Sequence, residues 1–199
     1  MADDRSSRDK QARDEEQRQR ERDLETELER GDDVEPPVDT AALEALETDV
    51  DELDFPARGT DIVAAIGDRE VTAAGRSYTV AELIPELDGE IFDSPPAVRV
   101  QIRRPTVAAA MKRIVEASRT LRNTEFRWTQ RKAYEATLES LVALDADDDD
   151  VMVETITDWI IERINEDETL PSSRAVRRQA AKTCRANGYE IRVDEWLGI

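Results

Sequence analysis

Histidine is absent from this 199-residue chain, and with it the side chain that most often serves as general base, metal ligand or activator of a nucleophile near neutral pH. There is one cysteine, Cys184, so no intrachain disulfide can form and a reducing compartment is expected. Lysine is scarce, 4 residues against 24 arginines, and aromatic residues make up only 5% of the chain. The seven glycines all stand singly, which excludes a glycine-rich loop of the kind that cradles phosphates. No apolar run approaches the roughly 18 residues needed to cross a bilayer, and the opening MADDRSSRDKQARDEEQ has no hydrophobic segment of a signal peptide. The sequence therefore predicts a soluble cytoplasmic protein without membrane contact.

What the chain has in abundance is negative charge: 47 acidic against 28 basic residues, a formal −19. An acidic, lysine-poor composition suits concentrated salt, where carboxylates hold water and cations and keep the protein dispersed. The charge is uneven. Residues 1–52 carry 8 basic and 20 acidic side chains, and residues 145–170 carry 1 and 11. Two islands reverse the sign: residues 103–144 with 9 basic against 4 acidic, and residues 171–199 with 6 against 3.

Residues 1–38 have Ala12, Leu24 and Leu28 as almost their only apolar side chains, so no face exists whose burial would offset the entropy of ordering. A disordered charged tail is expected. Its RDEEQRQRERDLETELER run favours a transient solvated helix without sustained heptads, and a partner-binding helix is the alternative. The prolines of GDDVEPPVD mark a linker. Leu43, Leu46, Val50 and Leu53 then form one narrow stripe, predicting a short docking helix over 39–53 whose helicity comes from packing.

Residues 54–104 read as a small mixed α+β module. Thr60 is expected to cap a short helix, DIVAAI, ended by Gly67 in the left-handed conformation. Two strand-like runs flank Ala74-Gly75 as a hairpin. Thr79 and Glu82 have capping-box spacing for VAELIPEL, which Pro85 must limit. Residues 95–104 are ambiguous: Ser94-Pro95 is a helix entry, whereas Val98, Val100 and Ile102 alternate like a half-buried strand; helix is the preferred reading. On Phe55, Pro56, Ala57, Gly67, Asp68, Ser94 and Val98, residues 54–104 resemble a small acidic haloarchaeal domain family of unknown function. The resemblance implies a halophilic origin and a small mixed domain, and no activity.

After Pro105 a four-helix domain is expected over 105–199, making the whole chain mostly α. Val107, Met111, Ile114, Val115 and Leu121 share one helix face; Tyr134, Leu138, Leu141 and Val142 share a second; Ile156, Trp159 and Ile160 share a third. The fourth helix follows LPSS, capped by Ser172 or Ser173, and stops at Asn187-Gly188. YEIRVDEWLGI is expected to end the domain as a short strand with Trp196 and Leu197 packing back.

The fourth helix carries the sharpest candidate site. Arg174, Arg178, Lys182 and Arg185 fall on one arc flanked by Arg177, with Val176, Ala180 and Cys184 opposite. With the preceding helix it could form a helix-turn-helix offering residues 173–187 to a major groove, or bind an acidic protein. The blander reading pairs these arginines with the acidic run 145–150 and the helix after it. In the second island, Arg103, Arg104, Lys112, Arg113, Arg119, Arg122, Arg127, Arg131 and Lys132 accompany Phe126 and Trp128, a combination suited to stacking on single strands; aromatics at a helix start are more commonly core anchors. DADDDD at 145–150 matches the first three acidic positions of an EF-hand loop but has Asp150 for the required glycine and Ile156 for the required glutamate, so a solvated helix entry is preferred and no metal or cofactor is expected. Cys184 lies near Lys182 and Arg185, which lower a thiol pKa, yet on the inner face, where a small core residue is the simpler role. The sequence points to a non-enzymatic interaction or adaptor protein with a protein partner engaged through the tail. A nucleic-acid-binding regulator using the basic helix is the alternative.

Overall fold

The computed structural model describes residues 40–189 apart from 74, 88, 123–124 and 145–150. The expectations for the tail at 1–38, the acidic run 145–150 and the last strand fall outside the described residues.

Helix α1 (Thr40–Asp51) buries Leu43, Leu46 and Val50, with Leu53 half-buried just beyond it. Ion pairs anchor its outer side: Asp49 with Arg69 at 2.9 Å, Glu47 with Arg103 at 2.6 Å, and Asp51 with Arg99. A two-residue strand β1 (Ala57–Arg58) leads into α2 (Gly59–Ile66). Here two local expectations fail. Thr60 does not cap α2: the helix begins two residues earlier than that cap requires, with Arg58 at the N-cap and no side-chain cap. The entry is set by tertiary contact instead, since a Cβ on Gly59 would lie 2.0 Å from the Pro85 carbonyl oxygen and the Gly59 N–H donates to Glu90 O at 2.9 Å. Nor is Gly67 left-handed; at φ −58°, ψ −32° it continues the helical turn and donates to Val63 O.

The hairpin stands as expected. β2 (Glu70–Ala73) pairs antiparallel with β3 (Arg76–Thr79), Ala73 facing Arg76 across the two-residue turn, and Gly75 takes φ +75°, a conformation open to glycine at no steric cost. The capping box forms, the Thr79 N–H donating to Glu82 Oε2 at 2.8 Å. Helix α3 (Val80–Leu83) stops two residues before Pro85. A second pair, β1 with β4 (Ile91–Phe92), was not foreseen; at two residues it is too short to leave an alternating pattern.

Residues 95–103 are helical, as α4 (Pro95–Arg103). Ser94 is extended and Pro95 occupies the first turn, while Val98 and Ile102, four residues apart, are the buried pair; Val100 stays half-exposed. Arg104 leaves the helical region at φ −129°, ψ 62° because Pro105 follows it. Helix α5 (Pro105–Ser118) then serves two cores at once. Ala108 packs with the residues of α1–α4, whereas Val107, Ala110, Met111, Ile114 and Val115 face α6 (Trp128–Leu144), α7 (Val151–Asp167) and α8 (Ser173–Ala186). Leu121 lies past the end of α5 and is half-buried, not part of its face. Tyr134, Leu138, Leu141, Ile156 and Ile160 are fully buried, with Val142 and Trp159 packed at the margin. The chain is thus mostly helical, eight helices among the described residues with one small hairpin. None of these helices is long and apolar enough to cross a membrane.

Candidate interaction surface

Helix α8 is built with two unlike faces. Val176, Ala180, Ala181 and Cys184 are fully buried, and their small volumes let the helix press closely on α6 and α7. Ser172 caps it, Oγ accepting from the Ala175 N–H at 3.2 Å, and Gly188 at φ +89° ends it. On the outer side Arg174, Arg178, Lys182 and Arg185 are exposed and Arg177 is half-buried; the helix contains no carboxylate. Among the described residues Arg174, Arg177, Arg178 and Lys182 form no ion pair.

The acidic side chains of α7 are engaged elsewhere. Glu154 meets Arg76 at 2.7 Å, Asp158 meets Arg113 at 2.5 Å, and Glu166 and Asp167 share Arg163 at 3.1 and 3.4 Å. The expected internal neutralisation of α8 by α7 is therefore not seen in these pairs. The link between the two helices, Glu168 to Ser172, has five residues, longer than the three or four of a helix-turn-helix.

In the second basic island six of the nine cations are paired, while Arg119, Arg122 and Arg127 are exposed and form no ion pair among the described residues. Arg103, Arg104, Lys112, Arg113, Arg131 and Lys132 are bound to Glu47, Glu139, Glu86 and Glu116, Asp158, Glu90 and Glu135 respectively. Phe126 is buried against Tyr134, ring centroids 5.2 Å apart, under the Arg131 guanidinium. Lys132 covers the half-buried Trp128 at 5.1 Å. Phe126 is a core anchor, and the face of Trp128 is covered by Lys132.

A latch holds the start of α8. The buried Tyr134 hydroxyl donates to Pro171 O, and Gln130 Nε2 donates to the same oxygen at 2.9 Å. Burial pushes the Tyr134 phenol well above its ordinary range, opposed in part by the hydrogen bond from Gln130. Sequence reading placed Tyr134 in an apolar stripe and had no signal for its partner 37 residues away. The small cleft of about 50 Å³ lined by Arg76, Arg113, Tyr78, Thr106 and Thr157 was likewise invisible. That volume suits water rather than an organic substrate.

Cys184 is fully buried, as its inner-face position implies. No group of three or more potential metal ligands occurs among the described residues. No curated protein and no solved structure matches the chain. Residues 40–114, from α1 through most of α5, match the model of a family described as a family of unknown function (DUF5789); the match includes 54–104 and supports an uncharacterised domain family there, and α8 lies outside it.

Proposed function

We propose that this chain is a non-enzymatic interaction protein of a halophilic archaeon, cytoplasmic, that holds a polyanionic partner on the outer face of α8. The halophilic reading rests on the −19 net charge and the 4 lysines against 24 arginines. The non-enzymatic reading rests on the absence of histidine and on a single cysteine with no access to solvent.

One observation carries the binding surface: among the described residues four cations, Arg174, Arg177, Arg178 and Lys182, meet no carboxylate, in a chain where acids outnumber bases. In molar salt the screening length falls to about 3 Å. Only contact pairs survive there, and guanidinium, with its planar fork of donors, is the side chain best suited to make them with carboxylate or phosphate. The test is retention of the full chain on an anionic resin in molar KCl, compared with Arg174→Gln/Arg178→Gln/Lys182→Gln. Earlier elution of the variant is expected. Identical elution of a folded variant would remove α8 from the reading.

A further inference from the structure

Resting on that reading of α8, we propose that the polyanion is double-stranded DNA, bound through its phosphates with α8 lying against a groove.

The choice between nucleic acid and an acidic protein turns on what the outer face lacks. Stable protein interfaces bury a central apolar or aromatic anchor ringed by near-neutral contacts. The outward positions of α8 hold Arg174, Arg177, Arg178, Lys182 and Arg185, with Ser173, Gln179 and Thr183 between them at half-exposure, and no large apolar residue among them. Cations interspersed with Ser, Thr and Gln are the set that contacts phosphate oxygens and base edges, and protein–DNA interfaces are more polar and far more positive than protein–protein ones. From Arg174 to Arg185 the rise is about 16 Å at 1.5 Å per residue, on a cylinder about 10–12 Å wide that a B-form major groove admits.

Rigidity favours the same reading. The inner face of α8 is locked in the core and its entry is held by Tyr134 and Gln130 on Pro171, so the cations are presented on a fixed frame. The neighbouring acids are partly masked. Glu154, Asp158, Glu166 and Asp167 are engaged by Arg76, Arg113 and Arg163, which leaves Glu162 and Glu168 as the exposed carboxylates of α7 and its link that form no ion pair among the described residues. These two oppose the phosphates, and the proposal makes them brakes on affinity.

Fluorescence anisotropy of the full chain tests this with a mixed-sequence DNA duplex of about 20 base pairs, two helical turns. An RNA duplex of equal length and polyglutamate serve as parallel probes. KCl is varied over the range in which circular dichroism shows the native fold. Each phosphate contact contributes about 0.9 to the slope of log K against log salt, so Arg174→Gln/Arg178→Gln/Lys182→Gln should flatten the slope by about 2.7; the difference cancels most of the repulsion shared by parent and variant. Glu168→Gln, which adds no contact, should tighten DNA binding by up to about twofold, the effect of one charge at roughly 10 Å in water. If the triple variant fails to fold, Arg178→Gln alone, expected to change the slope by about 0.9, replaces it. DNA binding with equal slopes in parent and variant would overturn the proposal, and so would tighter binding to RNA. Binding of polyglutamate alone, lost in the variant, would overturn DNA as the partner and leave the interaction reading intact; binding of no probe would overturn both.

Discussion

Replacing Tyr134 with Phe should lower stability by about 1 kcal/mol without opening a cavity, and the reason lies in a single carbonyl. The ring is fully buried against Phe126, and Phe retains those contacts. What disappears is the hydroxyl donated to Pro171 O, an oxygen that Gln130 Nε2 also reaches at 2.9 Å. A neutral hydrogen bond contributes about 0.5–1.5 kcal/mol net, and a buried group stripped of every partner costs about 1–3 kcal/mol. Either donor alone keeps the carbonyl satisfied, so Tyr134→Phe and Gln130→Ala should each be mild. The double variant should exceed their sum by about 1 kcal/mol, the coupling expected of groups sharing one partner. Urea unfolding followed by circular dichroism at fixed high KCl gives these values, with m unchanged if the denatured state is the same. The phenol adds an alkaline signature. Its pKa is raised above the ordinary 10.0 by burial, so the native state holds a proton that the unfolded chain releases. The stability this group contributes is whole below pH 10 and declines as pH rises through the native value; Tyr134→Phe should lack that decline. Single effects that simply add, or a Tyr134→Phe protein within about 0.3 kcal/mol of the parent, would show that no such latch orders the entry to α8.

Gly59→Ala places a Cβ 2.0 Å from the Pro85 carbonyl oxygen and should destabilise by about 1–3 kcal/mol as an overpacked site; a raised melting temperature, the usual result of glycine to alanine in a helix, would refute the close approach. Glu82 has its pKa lowered chiefly by the Thr79 backbone N–H, so its contribution to stability is complete above about 4.5 and is lost as pH falls through the lowered native value. Glu82→Gln should accordingly show a shallower acid loss of melting temperature than the parent. Arg76→Ala removes a half-exposed pair with Glu154 and a cation–π contact 4.9 Å from Tyr78; a loss of about 1 kcal/mol or less, shrinking as KCl rises, is expected from thermal melts.

The elements that the sequence foretells well are those whose signal is local. The stripe Leu43, Leu46, Val50, the Thr79–Glu82 box, the turn at Gly75 and the Ser172 and Gly188 ends of α8 each need only neighbours within a few residues, and each appears where expected. Thr60 and Gly67 show the limit. Both are acceptable capping residues in isolation, yet the entry to α2 is decided by Pro85 and Glu90, 26 and 31 residues further along the chain from Gly59. The helix at 95–103 was ambiguous for a related reason. Alternation of Val98, Val100 and Ile102 fits a strand, but the i, i+4 pair Val98 and Ile102 alone fills a helical face, and only the partner surface on α1 and α3 decides between them. The face of α8 was legible as a pattern. That Arg174, Arg177, Arg178 and Lys182 meet no carboxylate among the described residues was not, because pairing depends on which carboxylates the fold brings within reach.

That dependence reverses the ranking that net charge suggests. The island at 103–144, with 9 basic residues against 4 acidic, is the stronger of the two in sequence, yet most of its cations are taken by carboxylates from distant elements, Glu47, Glu86, Glu90 and Asp158 among them. Those arginines fasten α1, the 84–90 segment and α7 to the rest of the fold, and part of the acidity elsewhere in the chain is their counterpart. The island at 171–199 is weaker by count, but α8 carries no acid of its own and its neighbour α7 has spent four of its carboxylates on Arg76, Arg113 and Arg163. An arginine surrounded by available acid is a structural fastener; one left open beside acid already engaged is free to meet a partner. In concentrated salt, where long-range attraction is screened within a few ångströms, that contact-level difference, and not the sum of charges over a segment, separates a binding surface from a solvated one.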